Sequence, residues 1–158
     1  MNYVILTPSI TGMGGGQQYA HNKTHVMKSL GYEVIVFSAA SGKPIISSLS
    51  DQLKNIVPEL MFQPMYYRES TVHTVIERMK LTCGECGPDT IIESNDQAMA
   101  LWAEMLANEL KLCHIICMFT ENPRAYSLQE TDFYEFKLKR QELYVNSLSN
   151  FKSLYHLR

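Results

Sequence analysis

Residues 3–9 read YVILTPS, an uninterrupted apolar run with β-branched side chains. Such a run suits a strand covered on both faces, the condition of a strand inside a parallel sheet. The next residues narrow the fold further. Four glycines fall within residues 12–16 of the stretch TGMGGGQQ, and the period turns helical from Gly16 to Leu30. Tyr19, Val26 and Leu30 make one expected apolar stripe of that helix, with Ala20 and Met27 beside it. Gly31 stands where a helix C-cap glycine belongs. EVIVFSA (33–39) then reads as a second buried strand. Strand, glycine turn, helix and strand together spell a βαβ unit.

The alternation continues. SGKPIISS is a loop, and after it comes an irregular region with a strand near LMFQPM. TVHTVIERMKL (71–81) is a helix and DTIIES (89–94) a strand. DQAMALWAEMLANELK (96–111) is a long helix with Asp96 near its start. CHIICMFTE (113–121) is a strand. Residues 127–151 read as helix, with Ser127 and Glu130 spaced as a capping box. Right-handed crossovers then predict one Rossmann-like α/β domain over residues 1–158, an open parallel sheet with helices on both faces. Ligands of such sheets bind beyond the carboxyl ends of the strands. That rim comprises residues 9–18, 38–41, 93–96 and 120–124.

Composition removes several classes of function. A net charge of −2 lacks the basic excess of a nucleic-acid binder. No apolar run approaches the roughly 20 residues that span a bilayer. The N-terminus has no basic n-region and no small-residue cleavage site, so the expected compartment is the cytoplasm. Four cysteines are present, as Cys83/Cys86 and Cys113/Cys117. A zinc site from all four fails if the second pair lies on a strand. Residues four apart there sit about 13 Å apart, whereas thiolates on one tetrahedral zinc lie within about 4 Å. No metal is expected. The CxxC precedes a strand instead of opening a helix, so reduced structural thiols are expected.

The glycine stretch is neither of two common phosphate motifs. G-x-G-x-x-G fails at Gln17 when counted from Gly12, and at Tyr19 when counted from Gly14. A Walker A loop needs Gly-Lys-Ser/Thr where Gln17-Gln18 stands. The second strand ends without the acidic residue a nicotinamide ribose requires. His21 and His25 share the spacing of H-E-x-x-H, but Asn22 replaces its general base, so they read as a solvated helix face.

GGGQQYAHNKTHVMKSLGYEVIVFSA resembles the opening of family 4 glycosyltransferases of the GT-B fold. That family runs Gly-Gly-x-Glu-Arg, an amphipathic helix, then Leu-x-x-x-Gly-His-Glu-Val and a strand. Gly14-Gly15 match the paired glycines, Gln17-Gln18 replace Glu-Arg, and Gly31-Tyr32-Glu33-Val34 stand for Gly-His-Glu-Val. GPDTIIES is similar to the family's Pro-Asp-x-Ile entry into its fourth strand. The likeness runs over about residues 3–124, and the fifth strand departs by ending Thr120-Glu121-Asn122 rather than in His-Gly or His-Asp. It implies one half of a GT-B fold, the acceptor side, with the C-terminal donor-binding half and its Glu-x7-Glu motif absent.

The resemblance further implies a retaining transfer from a nucleotide-diphosphate sugar, as co-substrate, to a glycan or lipid-linked acceptor, in cell-surface polysaccharide assembly. It implies no tightly bound cofactor and no catalytic base from this half, and an isolated chain without activity. Gly14, Gly15, Gly16 and Gln17 would form the loop facing the donor phosphates, where glycines let backbone N–H groups approach an anion. Glu93, Asn95, Glu121, Asn122 and Arg124 would form the acceptor-binding rim.

Two other classes fit parts of the pattern. One is a non-catalytic doubly wound binding module, flavodoxin-like or receiver-like, although Thr7-Pro8-Ser9 offers no acidic cluster for a receiver. The other is a protein or membrane interaction domain. Residues 131–158 hold five Lys/Arg against three Asp/Glu among many aromatics. That composition suits peripheral contact with an anionic surface such as the inner face of the membrane, or packing on a neighbouring domain.

Overall fold

A computed structural model of the chain describes residues 1–9, 15–39, 55–95, 99–112, 115–119 and 153–156, the last two stretches by their backbone. In chain order the elements are β1 (Asn2–Thr7), α1 (Gly15–Ser29), β2 (Glu33–Ser38), α2 (Glu69–Cys83), β3 (Ile91–Ser94), α3 (Ala100–Glu109), β4 (Ile115–Phe119) and β5 (Ser153–His156). All strand pairs are parallel, and the sheet order is β2-β1-β3-β4-β5. The expected Rossmann-like open parallel sheet is therefore present.

Register explains the two-sided core. Tyr3 and Ile5 lie level with Val34 and Val36 of β2, and Val4 and Leu6 with Ile35 and Phe37. Adjacent strand residues point to opposite faces. Tyr3, Ile5, Val34 and Val36 accordingly pack with Met27 of α1. Val4, Leu6, Phe37 and Ile92 pack with Val75, Ile76 and Met79 of α2 and with Trp102 and Leu106 of α3. Helices thus cover both faces, and β1 is buried from Tyr3 to Thr7 because both of its sides are filled. The chain steps from β1 to β2 in one direction, then returns past β1 to β3. This reversal makes the ends of β1 and β3 the topological switch point of the sheet, the place where open α/β sheets bind ligands.

Three expectations are corrected. The buried face of α1 carries Ala20, Thr24 and Met27, while Val26 is 52% and Leu30 62% exposed. Small residues let the helix lie close to the sheet, and the Thr24 hydroxyl is satisfied by the Ala20 carbonyl at 2.8 Å. The region near LMFQPM forms two short 3-10 turns, Pro58–Met61 and Pro64–Tyr66, each begun by its proline. Their work is to cover α3: the indole N–H of buried Trp102 donates to the Phe62 carbonyl at 2.8 Å, with Tyr67 against the ring. Strand β5 continues the sheet beyond β4 where the sequence showed no strand. The helix expected over 127–151 lies outside the described residues.

Each of α1 and α3 ends by reversing its backbone. After α1, Gly31 takes φ 87°, with its N–H on the Lys28 carbonyl and that of Tyr32 on the Met27 carbonyl. After α3 the same bonding recurs, Lys111 to Asn108 and Leu112 to Ala107, but Lys111 holds φ 55° without being glycine. A left-handed residue with a Cβ costs about 1–2 kcal/mol, part of which glycine's extra unfolded-state freedom offsets. Lys111→Gly should therefore raise stability by about 0.5–1 kcal/mol. Gly31→Ala should lower it by about 1 kcal/mol through backbone strain, since a Cβ there meets no atom within 4 Å. Urea melts at fixed pH read both.

Candidate functional site

The candidate site lies at the carboxyl ends of β1 and β3. Asn95 comes directly after β3, and its backbone N–H continues the ladder onto the Leu6 carbonyl at 2.8 Å. This turns its side chain toward β1 and α1. The carboxamide Nδ2 donates to Thr7 Oγ1 at 3.2 Å and to the Gly16 carbonyl at 2.9 Å. Thr7 in turn donates to the Ser9 carbonyl at 3.2 Å. One side chain thus ties the end of β1, the end of β3 and the first turn of α1.

The amide's orientation is fixed by chemistry. A carbonyl only accepts, so the NH2 must face Gly16, and Oδ1 must face away. Asn95 is 2% exposed, and Oδ1 has no hydrogen-bond partner among the described residues. A buried acceptor without a donor is costly, about 1–3 kcal/mol, and because Oδ1 is closed to solvent a ligand donor reaches it only on a local opening of the site. Next to it lies the start of α1. Gly15 and Gly16 form its first turn, and no acidic side chain in that turn neutralises the helix N-terminus. That end carries partial positive charge and suits an anion. Because Gly15 and Gly16 are helical, neither needs a left-handed angle.

Glu93 does not stand on this rim, which corrects its expected position. It lies level with Ile5, on the α1 face of the sheet, and is 0% exposed. The Tyr3 hydroxyl donates to its Oε2, and Lys23 Nζ approaches the same oxygen at 3.8 Å. The ammonium also lies 5.6 Å and 6.0 Å from the ring centres of Tyr3 and Tyr19. Burial pushes the Glu93 carboxyl above its ordinary value, and the contacts with Tyr3, Lys23 and Tyr19 only partly offset that. The Tyr3 hydroxyl is raised as well, chiefly by burial and then by the Glu93 charge, so it stays a donor. The cluster docks α1 on the sheet from beneath, and an acceptor substrate cannot reach Glu93 in this arrangement.

Of the other expected site residues, Gly15, Gly16, Gln17 and Asn95 gather at the rim. Gly14, Glu121, Asn122 and Arg124 lie outside the described residues. Sequence reasoning missed Thr7, Tyr3, Tyr19 and Lys23 as partners. The signal available was Glu93 itself, since a carboxylate inside an apolar strand demands buried donors.

Two features lie elsewhere. Cys83 ends α2, and the Cys86 thiol contacts its carbonyl at 3.5 Å, beside Asn2 at the opposite end of the sheet. Burial pushes the Cys83 thiol up to about 12, which suppresses thiolate chemistry. A cavity of about 280 Å³ between α2 and α3 is lined by Glu69, His73, Met105 and Glu109 among others.

A carboxyl whose folded value is raised stabilises the fold below its unfolded value and loses that contribution as pH rises through the folded value. The stability of the chain relative to its Glu93→Gln variant should therefore fall from about pH 4.5 upward. Gln keeps an acceptor for Tyr3 without a buried charge, so the variant should be at least as stable at pH 8. A variant weaker by about 3 kcal/mol or more at pH 8 would instead mark Glu93 as half of an indispensable ion pair.

Compared with protein-family models, curated proteins and solved structures, the chain matches none.

Proposed function

We propose that this domain is the acceptor-side half of a retaining glycosyltransferase, moving a sugar from a nucleotide-diphosphate donor to a glycan or lipid-linked acceptor. The observation that carries the reading is the Asn95 carboxamide, whose NH2 is committed to Thr7 and Gly16 and whose buried Oδ1 accepts no hydrogen bond from the described residues. A sugar hydroxyl supplies that donor; the fully ionised, esterified diphosphate of a nucleotide-sugar has none to give. The adjacent N-terminus of α1 suits the diphosphate that leaves as the glycosidic bond forms. Positive potential placed where that charge develops lowers the barrier. The glycines keep side chains out of the approach to the backbone. The glycine-loop and strand resemblance in the sequence supports the same reading.

A second reading has its own observation. The strand order 2-1-3-4-5 is that of flavodoxin-like modules, which hold a flavin mononucleotide at the β1/β3 switch point. One titration separates the two. Amide spectra of the labelled chain are recorded with a neutral oligosaccharide, a nucleotide-diphosphate sugar and flavin mononucleotide. The glycosyltransferase reading expects the oligosaccharide to move the Gly15, Gly16 and Asn95 signals, and Asn95→Ala to weaken binding by about tenfold or more with the fold intact. It also expects the chain alone to turn over no nucleotide-sugar. Tight flavin binding with no response to saccharide would overturn it in favour of the flavodoxin-like module.

A further inference from the structure

Helix α2 closes on Cys83, and the chain then turns back over that end. Gly84 takes φ 61°, and the Cys86 N–H reaches the Gly84 carbonyl at 3.1 Å. The turn lays Cys86 against the apolar cluster that contains Cys83. Cys86 Sγ sits 3.5 Å from the Cys83 carbonyl oxygen, and the two thiols are close enough to interact directly. Both are free cysteines, Cys83 buried and Cys86 half-buried. From this juxtaposition we propose that Cys83 and Cys86 form a reversible dithiol–disulfide site whose reaction partner is a low-molecular-weight disulfide such as oxidised glutathione. The site stands apart from Asn95 and is independent of the glycosyltransferase reading.

The two sulfurs have separate tasks. Exchange begins with the thiol that the reagent meets, and that is half-buried Cys86. Asn2 Nδ2 donates to its sulfur at 3.6 Å, a contact that favours the thiolate over the thiol. The Cys86 thiolate attacks one sulfur of the reagent RSSR. The S–S bond of the reagent breaks, a mixed disulfide forms on Cys86, and the departing RS⁻ takes up the proton that Cys86 released. Cys83 is closed to the reagent but already stands beside the Cys86 sulfur. It attacks that sulfur, and the second RS⁻ leaves with the Cys83 proton. Two protein thiols and one RSSR thus become one protein disulfide and two RSH. Burial holds Cys83 protonated, which slows its attack, and placement next to the mixed disulfide offsets that loss. The same burial leaves the dithiol without a stabilised thiolate at Cys83, and a less stabilised reduced form favours the disulfide. Space around Gly84 is open, since a Cβ there would meet no atom within 4 Å, so the turn has room to adjust as the bond forms.

The test equilibrates the folded full chain with oxidised and reduced glutathione at neutral pH, traps the remaining thiols with N-ethylmaleimide in denaturant and maps the tryptic peptides by mass spectrometry. Cleavage at Lys111 separates Cys83 and Cys86 from Cys113 and Cys117. The expected result is a Cys83–Cys86 disulfide in excess oxidised glutathione and its full reversal in excess reduced glutathione. Cys83→Ala should stop at the mixed disulfide, with glutathione held on Cys86. Cys86→Ser should leave Cys83 unmodified, because no reagent reaches it. Asn2→Ala should slow the reaction of Cys86 severalfold. Circular dichroism checks that the variants keep their helices, and the unaltered chain alone decides the matter if one does not. Two free thiols in excess oxidised glutathione, glutathione that stays on Cys86 in the unaltered chain, or glutathione on Cys83 in the folded Cys86→Ser variant overturns the proposal.

Discussion

The carboxamide of Asn95 is the contact on which the candidate site depends. Strand pairing brings the ends of β1 and β3 together, and Nδ2 then ties them to α1 by donating twice, once to a strand-end hydroxyl and once to a helix carbonyl. Neither acceptor offers a proton in return along those bonds, so the amide cannot turn over without losing them. Its oxygen is left as a directed acceptor at the point where the strand order reverses. An aspartate of the same shape could not do this, because an ionised carboxylate has no N–H to give. The first turn of α1 and the polar ends of β1 and β3 become one site through this single side chain.

The two faces of the sheet are held by different physics. Beneath α2 and α3 the core is almost wholly apolar, with Trp102 tied by one hydrogen bond to the turn that covers it. Beneath α1 the apolar set is small, and a buried carboxylate with its tyrosine and lysine partners fills the remaining space. Such a cluster gives less stability than an apolar one of equal volume, because desolvating the charge consumes most of its attraction. It does fix where α1 can lie, since only one placement brings Lys23 and Tyr3 to the same oxygen. The helix that opens at the site is thus seated by direction-dependent contacts.

Much of the fold was legible because its strands are buried on both sides. YVILT, EVIVFS and IIES announce themselves as parallel strands, and Gly31 marks the end of α1. The face of α1 differs from the expected stripe because Ala20, Thr24 and Met27 set it, and a hydrophobicity count ranks exposed Val26 and Leu30 above alanine and threonine. Strand β5 went unseen since SLYH has the composition of a helix end as readily as of a strand. The two prolines at 58 and 64 should have demoted the strand near LMFQPM, as proline at the start of a turn suits 3-10 geometry. At the site, Asn95 and the glycines were readable from their position past strand ends. The burial of Glu93 was not, because a carboxylate near a strand end reads as solvated unless its donors are known. Those donors, Tyr3 and Lys23, stand 90 and 70 residues away in sequence.

The most direct test of the Asn95 anchor is hydrogen exchange at its side-chain amide, measured by NMR in the unliganded chain. With Nδ2 donating to both Thr7 and the Gly16 carbonyl, its two protons should exchange far more slowly than those of a free asparagine, and both should show contacts to Thr7 and Gly16 protons. Exchange at the rate of a free asparagine amide would contradict this arrangement, because the oxygen would then have no fixed direction and the site no defined acceptor.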